Sequence, residues 1–226
     1  MISALKRHHT IQSTFREFAD ISELVYFGKP ESEQSYRYRG ATLGGVSTKD
    51  SHFCHGTHKG YDVSAFLREA KHSNHEGDSI KSQWMVVALH LKTSDLPHVV
   101  LDAKRHDKVF YQSLFAKYHR MRRANGGLRQ IAKLFDVYYV PERDHEVQNL
   151  LNDEILATIE GHYSAYDIEL MDDQLMVYMR LPETGIARAR VLSSMLEEAT
   201  WLAERVEYRK AYAPELNQAQ AIAWAW

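Results

Sequence analysis

Apolar residues near the start of the chain recur at the spacing of one helical face. The positions are Ile2, Leu5, Ile11, Phe15, Phe18, Ile21 and Leu24. Because residues three or four apart share a helix face, this spacing predicts a helix over residues 1–27. Gly28 and Pro30 mark its end, since glycine and proline stop helices.

The pattern changes to short runs with strand character after Tyr38. Residues 52–57 and 61–67 predict a hairpin, with Gly60 in the turn free to take a positive φ. The apolar runs at 84–91 and 99–101 predict two more strands, and the aromatic and β-branched run at 134–140 predicts another.

Helical spacing returns at 110–123, at 144–163 and most strongly at 184–209. Residues 167–170 and 174–179 alternate on both sides of an acidic turn and predict a second hairpin. Strands and helices without regular βαβ alternation indicate an α+β fold: a mainly antiparallel sheet built from hairpins, covered by helices, with a long amphipathic C-terminal helix. The expected divisions are an N-terminal helical segment at 1–30, one α+β domain at 31–210 and an apolar aromatic tail at 211–226.

Composition supports a soluble globular protein. The chain has 226 residues, 44% of them hydrophobic and 11% aromatic, which is enough to build a core. It contains no apolar run of the length that a membrane-spanning helix needs, and Lys6 and Arg7 interrupt the region where a signal peptide would be apolar. The one cysteine, Cys54, fits a reducing compartment, so we expect a cytoplasmic protein.

Several motifs resemble a known group of sequences. They are Arg39-Gly40-x-Thr42, Asp50-x-His52-Phe53-Cys54-x-Gly56-Thr57-x-x-Gly60-Tyr61-Asp62-Val63, Leu96-Pro97-His98-Val99, Phe135-x-Val137-Tyr138, Asp167-Ile168-Glu169-Leu170 and Leu175-x-Val177-Tyr178. Over roughly residues 38–206 the chain is similar to a bacterial family of unknown function found in Saccharibacteria and relatives. The resemblance implies no catalytic residue and no cofactor.

Histidines concentrate beside the cysteine. Five of the 13 histidines lie between residues 52 and 75, and imidazole with thiolate is the ligand chemistry that zinc prefers. Alternation on a strand would place Asp50, His52 and Cys54 on one face, with His58 near them at the turn. A zinc site is therefore one hypothesis for this hairpin, although no known zinc spacing is present and polar strand edges explain the same residues. The favoured expectation is no cofactor.

Cys54 is also a candidate nucleophile, with His52, His55 or His98 as its base. Catalysis requires a spatially adjacent histidine and a stabilised thiolate. A cysteine beside Phe53 in a strand is more often simply packed, so packing is the favoured interpretation.

Charge is unevenly distributed along the chain. Residues 104–133 contain nine basic residues and one acid, whereas 142–173 contain ten acids and one base. The basic helix expected near 110–123 could bind phosphates or an anionic surface through five residues: Lys117, Arg120, Arg122, Arg123 and Arg129. The favoured alternative is that the basic and acidic segments face each other in the fold or across a dimer, or are solvated. Nucleic acid is disfavoured, because no nucleic-acid-binding motif is present.

The last residues include two tryptophans, Trp224 and Trp226. Tryptophan is enriched at interfaces, so they indicate docking on a protein partner or a second subunit, with packing on the chain's own core or disorder as alternatives. The sequence thus favours a non-enzymatic protein-interaction or scaffold domain. A metal-binding module or metal-dependent enzyme is the second hypothesis, and anion binding by the basic helix is the third.

Overall fold

One antiparallel sheet organises the described part of the chain. The computed structural model describes residues 2–29, 47–73, 79–104, 122–123, 131–163, 165–181 and 188–223. The helices are α1 Ile2–Ile21, α2 Asp144–Leu150, α3 Asp153–His162 and α4 Ala189–Ala223. The strands are β1 Val25–Gly28, β2 Ser47–His58, β3 Tyr61–Ser73, β4 Ser79–His90, β5 Leu96–Ala103, β6 Arg122–Arg123, β7 Phe135–Tyr139, β8 Asp167–Asp172 and β9 Gln174–Arg180. Short 3₁₀ turns cover Ile131–Lys133 and Pro141–Arg143.

The strand order is β1-β2-β3-β4-β9-β8-β5-β7-β6. Every neighbouring pair is antiparallel. β9 lies between β4 and β8, so it joins a first half, β1 to β4, to a second half built from β5 to β8. The predicted α+β class, with hairpins and a long C-terminal helix, is confirmed.

All four helices pack against the same side of the sheet, which we call the inner face. Its core combines Phe15 and Phe18 of α1 with Leu192 and Leu202 of α4 over strand residues such as Val87. The opposite side, the outer face, has its own apolar cluster. That cluster comprises Phe53, Phe66, Trp84, Val86, Ala88, Met176 and Tyr178. The N-terminal helix therefore belongs to the main core.

Two tight turns behave as the sequence predicted. Lys59 and Gly60 have φ of 48° and 80°, as a two-residue hairpin turn between right-twisted strands requires. The acidic turn between β8 and β9 places Asp172 at φ 56°. Asparagine and aspartate tolerate this left-handed region better than most residues do.

Several predicted boundaries are wrong. α1 ends at Ile21, and Val25–Gly28 form a strand because valine and aromatic side chains favour a pleated surface. The helix predicted at 144–163 is two helices, separated at Leu151 and Asn152. The helix predicted at 184–209 begins at Ala189 and extends through Pro214 to Ala223. The division of the chain at 1–30, 31–210 and 211–226 stays a prediction.

The helix predicted at 110–123 falls mostly outside the described residues. Its last two residues, Arg122 and Arg123, form β6 instead, opposite Tyr139 and Tyr138 of β7.

Among the described residues, no helix has an apolar stretch long enough to cross a membrane.

Candidate functional site

A β-bulge in β2 separates the four residues of the zinc hypothesis. The pairing of β2 with β3 shifts between Ser51 and Cys54, and His52 at φ 55° lies within the shift. Asp50 is opposite Arg68 on the outer face, whereas Cys54 is opposite Ala65 on the inner face. The extra residue inverts the alternation, so the prediction of one shared face is wrong.

Asp50 and Cys54 each have partners unrelated to a metal. Asp50 receives two hydrogen bonds from Arg68, at 2.7 and 2.8 Å, and both side chains are almost fully buried. The thiol of Cys54 donates to the Phe15 carbonyl at 3.4 Å. Burial raises the pKa of this thiol to about 12.

The two histidines of the zinc hypothesis also contact other residues. The Tyr26 hydroxyl lies 2.9 Å from Nδ1 of His52, and the Phe15 ring stacks on the imidazole. His58 lies 3.3 Å from the Glu197 carboxylate on α4. Within the described ranges, no three His, Cys, Asp or Glu side chains are grouped so that they could hold a metal ion.

The residue types of a serine-protease triad meet on the outer face. His55 Nδ1 lies 3.0 Å from the Ser64 hydroxyl and 3.4 Å from the Asp62 carboxylate. A triad needs the serine and the acid at different ring nitrogens, whereas here both approach the same one. Ser64 is also fully buried, so no substrate can reach its hydroxyl. His98 pairs instead with buried Glu169 at 2.6 Å, in the other half of the sheet.

The remaining predicted site residues lie outside the described part of the chain or at its margin. Lys117, Arg120 and Arg129 of the anion hypothesis are outside it, as are Trp224 and Trp226 of the interaction hypothesis. Arg122 and Arg123 form the outermost strand of the second half of the sheet.

A groove that the sequence analysis did not identify lies between α3, α4 and the turn joining β2 to β3. Its volume is about 540 Å³, within the range of small-molecule sites. Residues from all three elements line it: Lys59, His162, Tyr163, Glu198, Trp201 and Glu204. No motif marks these positions, and the one signal in the sequence is a tryptophan among glutamates on a helix.

Local structure explains why these side chains converge. The Asn152 side chain accepts a hydrogen bond from the Ile155 amide at 3.1 Å and caps the start of α3. At the other end of α3, the Tyr163 hydroxyl donates to the Glu198 carbonyl at 2.6 Å. Residues 198 and 201 are three apart in α4, and so are 201 and 204, which places all three on one flank.

The groove contains both paired and unpaired carboxylates. Glu197 forms an ion pair with Lys59, and the hydrogen bond from Lys59 holds the Glu197 pKa below its usual value. Burial raises the pKa of Glu198. Its Oε1 accepts from Ser194 at 3.1 Å, whereas its buried Oε2 has no hydrogen-bond partner among the described residues.

The outermost strand of the first half of the sheet presents a second candidate surface. Val25 and Phe27 of β1 are 57% and 52% exposed, and Ile21 at the end of α1 is 58% exposed. The centroid of the Phe27 ring lies 6.5 Å from the centroid of the buried Phe53 ring. β1 pairs with β2 only between His55 and Phe53, so it borders a short part of that 12-residue strand.

Comparisons with known proteins bear on the fold. No protein-family model matches the chain, and a search of curated proteins finds no significant match. One similar solved structure is the crystal structure of the mycobacterial trehalose monomycolate transport factor A, TtfA. The likeness has a TM-score of 0.60 at 12% identity and covers 86% of this chain and 93% of the chain in that crystal structure. At this identity it concerns the fold alone.

Proposed function

We propose that the chain is a non-enzymatic protein-interaction domain that binds an extended segment of a partner protein along β1. The observation that carries this proposal is the exposure of Val25 and Phe27, at 57% and 52%, on the outermost strand of the sheet. We place the domain in the cytoplasm, because its lone cysteine is a buried free thiol. The resemblance to the bacterial family remains a prediction.

The two ends of the sheet differ in chemistry. β6 consists of two arginines, and charged side chains commonly protect a sheet edge from association. β1 instead presents valine and phenylalanine beside an edge that pairs with no other described strand. An added strand would gain main-chain hydrogen bonds there, and the two apolar side chains would provide specificity.

The small size of β1 favours a partner segment over a second copy of the chain. A stable interface buries about 1,200–2,000 Å² in total. Two four-residue strands meeting edge to edge span only about 13 Å and bury far less. An extended partner segment can also follow the part of β2 that no described strand borders on this side, which enlarges the contact.

The solved neighbour offers limited support. TtfA is named as a transport factor, and its name specifies no enzymatic reaction. A shared fold is compatible with a binding role here, although fold alone does not determine function.

The test begins with a photo-crosslinking amino acid at Phe27 in cells that make the protein. A crosslinker at Tyr212, which is 46% exposed on α4, provides the matched control. We expect an adduct specific to Phe27, identified by mass spectrometry. The identified partner is then purified and titrated calorimetrically.

We expect Phe27→Asp to weaken this binding at least tenfold, since a carboxylate would lose its hydration in an apolar contact. Tyr212→Asp should bind normally, and both variants should melt like the unsubstituted protein. Equal affinity of the two variants, or no adduct specific to Phe27, would contradict the proposal. If the protein forms a dimer that Phe27→Asp dissociates, the segment bound at β1 belongs to a second copy of the chain and not to a partner protein.

A further inference from the structure

We propose that the groove between α3 and α4 binds an organic cation, in the form of an aliphatic chain that carries ammonium groups. The inference does not depend on docking at β1, so either proposal can fail alone. It is carried by the shape of the groove, the balance of charge on its walls and its aromatic side chains.

The charge on the groove walls is negative. Lys59 neutralises Glu197, and His58 lies 3.3 Å from the same carboxylate. Among the described side chains, no basic nitrogen lies within 4.0 Å of the carboxylates of Glu198 and Glu204. Two carboxylates on one flank of α4 thus face the groove without an ion pair to a described side chain. His162, the other ionisable nitrogen in the lining, interacts electrostatically with Glu198.

Glu198 has unused hydrogen-bonding capacity. Its Oε2 is buried without a partner in the part of the chain that the structure describes, while Oε1 and the main-chain carbonyl accept from Ser194 and Tyr163. A buried acceptor without a donor is destabilising. An ammonium group has three donors, so a bound ligand that contacts this oxygen would satisfy it.

The aromatic side chains suit the rest of such a ligand. The Trp201 ring is partly exposed beside Tyr163, with 6.3 Å between the ring centroids. The Arg205 guanidinium, one turn further along α4, lies 5.5 Å from the centre of the Trp201 ring, within cation–π range. Methylene groups can pack on the ring while an ammonium group meets the glutamates.

The volume indicates a ligand larger than a metal ion. About 540 Å³ accommodates a linear polyamine such as spermidine. A lysine side chain of a peptide presents the same chemistry, a flexible methylene chain ending in an ammonium group. Free polyamine and peptide lysine are therefore the two sources to distinguish.

Calorimetric titration of the full chain with spermidine tests the proposal. A lysine-containing tripeptide, Lys-Ala-Lys, and uncharged 1,8-octanediol are titrated in parallel. We expect spermidine to bind and octanediol not to bind, with affinity falling as salt is added because the attraction is electrostatic. Tighter binding of the tripeptide than of spermidine would identify peptide lysine as the source.

Variants that remove a carboxylate test whether spermidine binds in the groove. Glu198→Gln and Glu204→Gln should each weaken spermidine binding about tenfold, whereas Glu160→Gln, on an exposed position of α3 that does not line the groove, should bind normally. The proposal is overturned if neither spermidine nor Lys-Ala-Lys binds at about 1 mM. It is equally overturned if all three variants bind alike.

Discussion

Cys54 occupies an environment that suppresses thiol chemistry. Its side chain is fully buried on the inner face, and its donor is directed at the Phe15 carbonyl. The thiolate is the reactive form, and burial that raises the thiol pKa to about 12 leaves very little of it at neutral pH. Cys54 therefore behaves as a small apolar residue of the core.

Alkylation by iodoacetamide at pH 8 tests this description of Cys54. We expect the native protein to react roughly 1,000-fold more slowly than the unfolded chain, because a much smaller fraction of the Cys54 thiol is ionised in the native protein. The rate is followed by intact mass. Thr57→Cys, at an exposed position of β2, should react rapidly in the folded protein. Similar rates for native and unfolded Cys54 would contradict the assignment.

One residue in β2 determines which side chains can meet. Alternation along a regular strand would group Asp50 with Cys54, and the bulge at His52 puts them on opposite faces. Bulges often contain a glycine, but this one contains histidine at a positive φ, so the sequence provides no local signal for it. The meeting of His55 with Ser64 likewise depends on register, which composition does not reveal.

At the scale of elements, α3 depends on its first residue. The Asn152 side chain accepts a hydrogen bond from the Ile155 amide and caps the start of α3. Hydrophobic spacing alone predicts one continuous helix through this position, whereas α2 ends at Leu150. The sequence Asn152-Asp153-Glu154 is a typical helix start, with a capping residue followed by acids in the first turn. Hydrophobic spacing does not reveal such a break when the apolar positions of the two helices continue the same periodicity.

Replacement of Asn152 by alanine should lower the free energy of unfolding by about 1 kcal/mol, because the Ile155 amide loses its acceptor. Asn152→Asp should retain most of the stability. Urea denaturation monitored by circular dichroism provides the measurement. Asn149→Ala, at an exposed position inside α2, is the matched control and should change stability by less than about 0.5 kcal/mol. An equal loss in both alanine variants would disprove the capping role.

At the scale of the whole molecule, most hairpins and the fold class could be predicted because they depend on neighbouring residues. The strand order could not. β9 lies beside β4, although about 80 residues separate them in the chain, and hydrophobic periodicity contains no information on such pairings. The sequence did not predict the groove for the same reason, since Lys59 and Glu198 belong to elements that are far apart in the chain.

Removal of divalent metal should leave the whole molecule equally stable. The residues of the zinc hypothesis are divided between two sheet faces and engaged with other groups, so a structural metal has no assembled site among them. We expect the melting temperature with and without excess chelator to agree within about 1 °C. Elemental mass spectrometry of the purified protein is the companion measurement. Stoichiometric zinc together with a lower melting temperature in chelator would restore the zinc hypothesis.

The position of β9 also affects how the chain folds as it is made. Synthesis delivers β1 to β4 first, and the strand that completes the sheet arrives only with residues 174–180. Until then the nascent chain exposes one edge of β4, which contains Trp84, Met85 and Val86. An unpaired apolar edge recruits other strands, so a ribosome that pauses before β9 holds an intermediate prone to aggregation. α4 follows later still, so the part of the inner face under this helix is covered last.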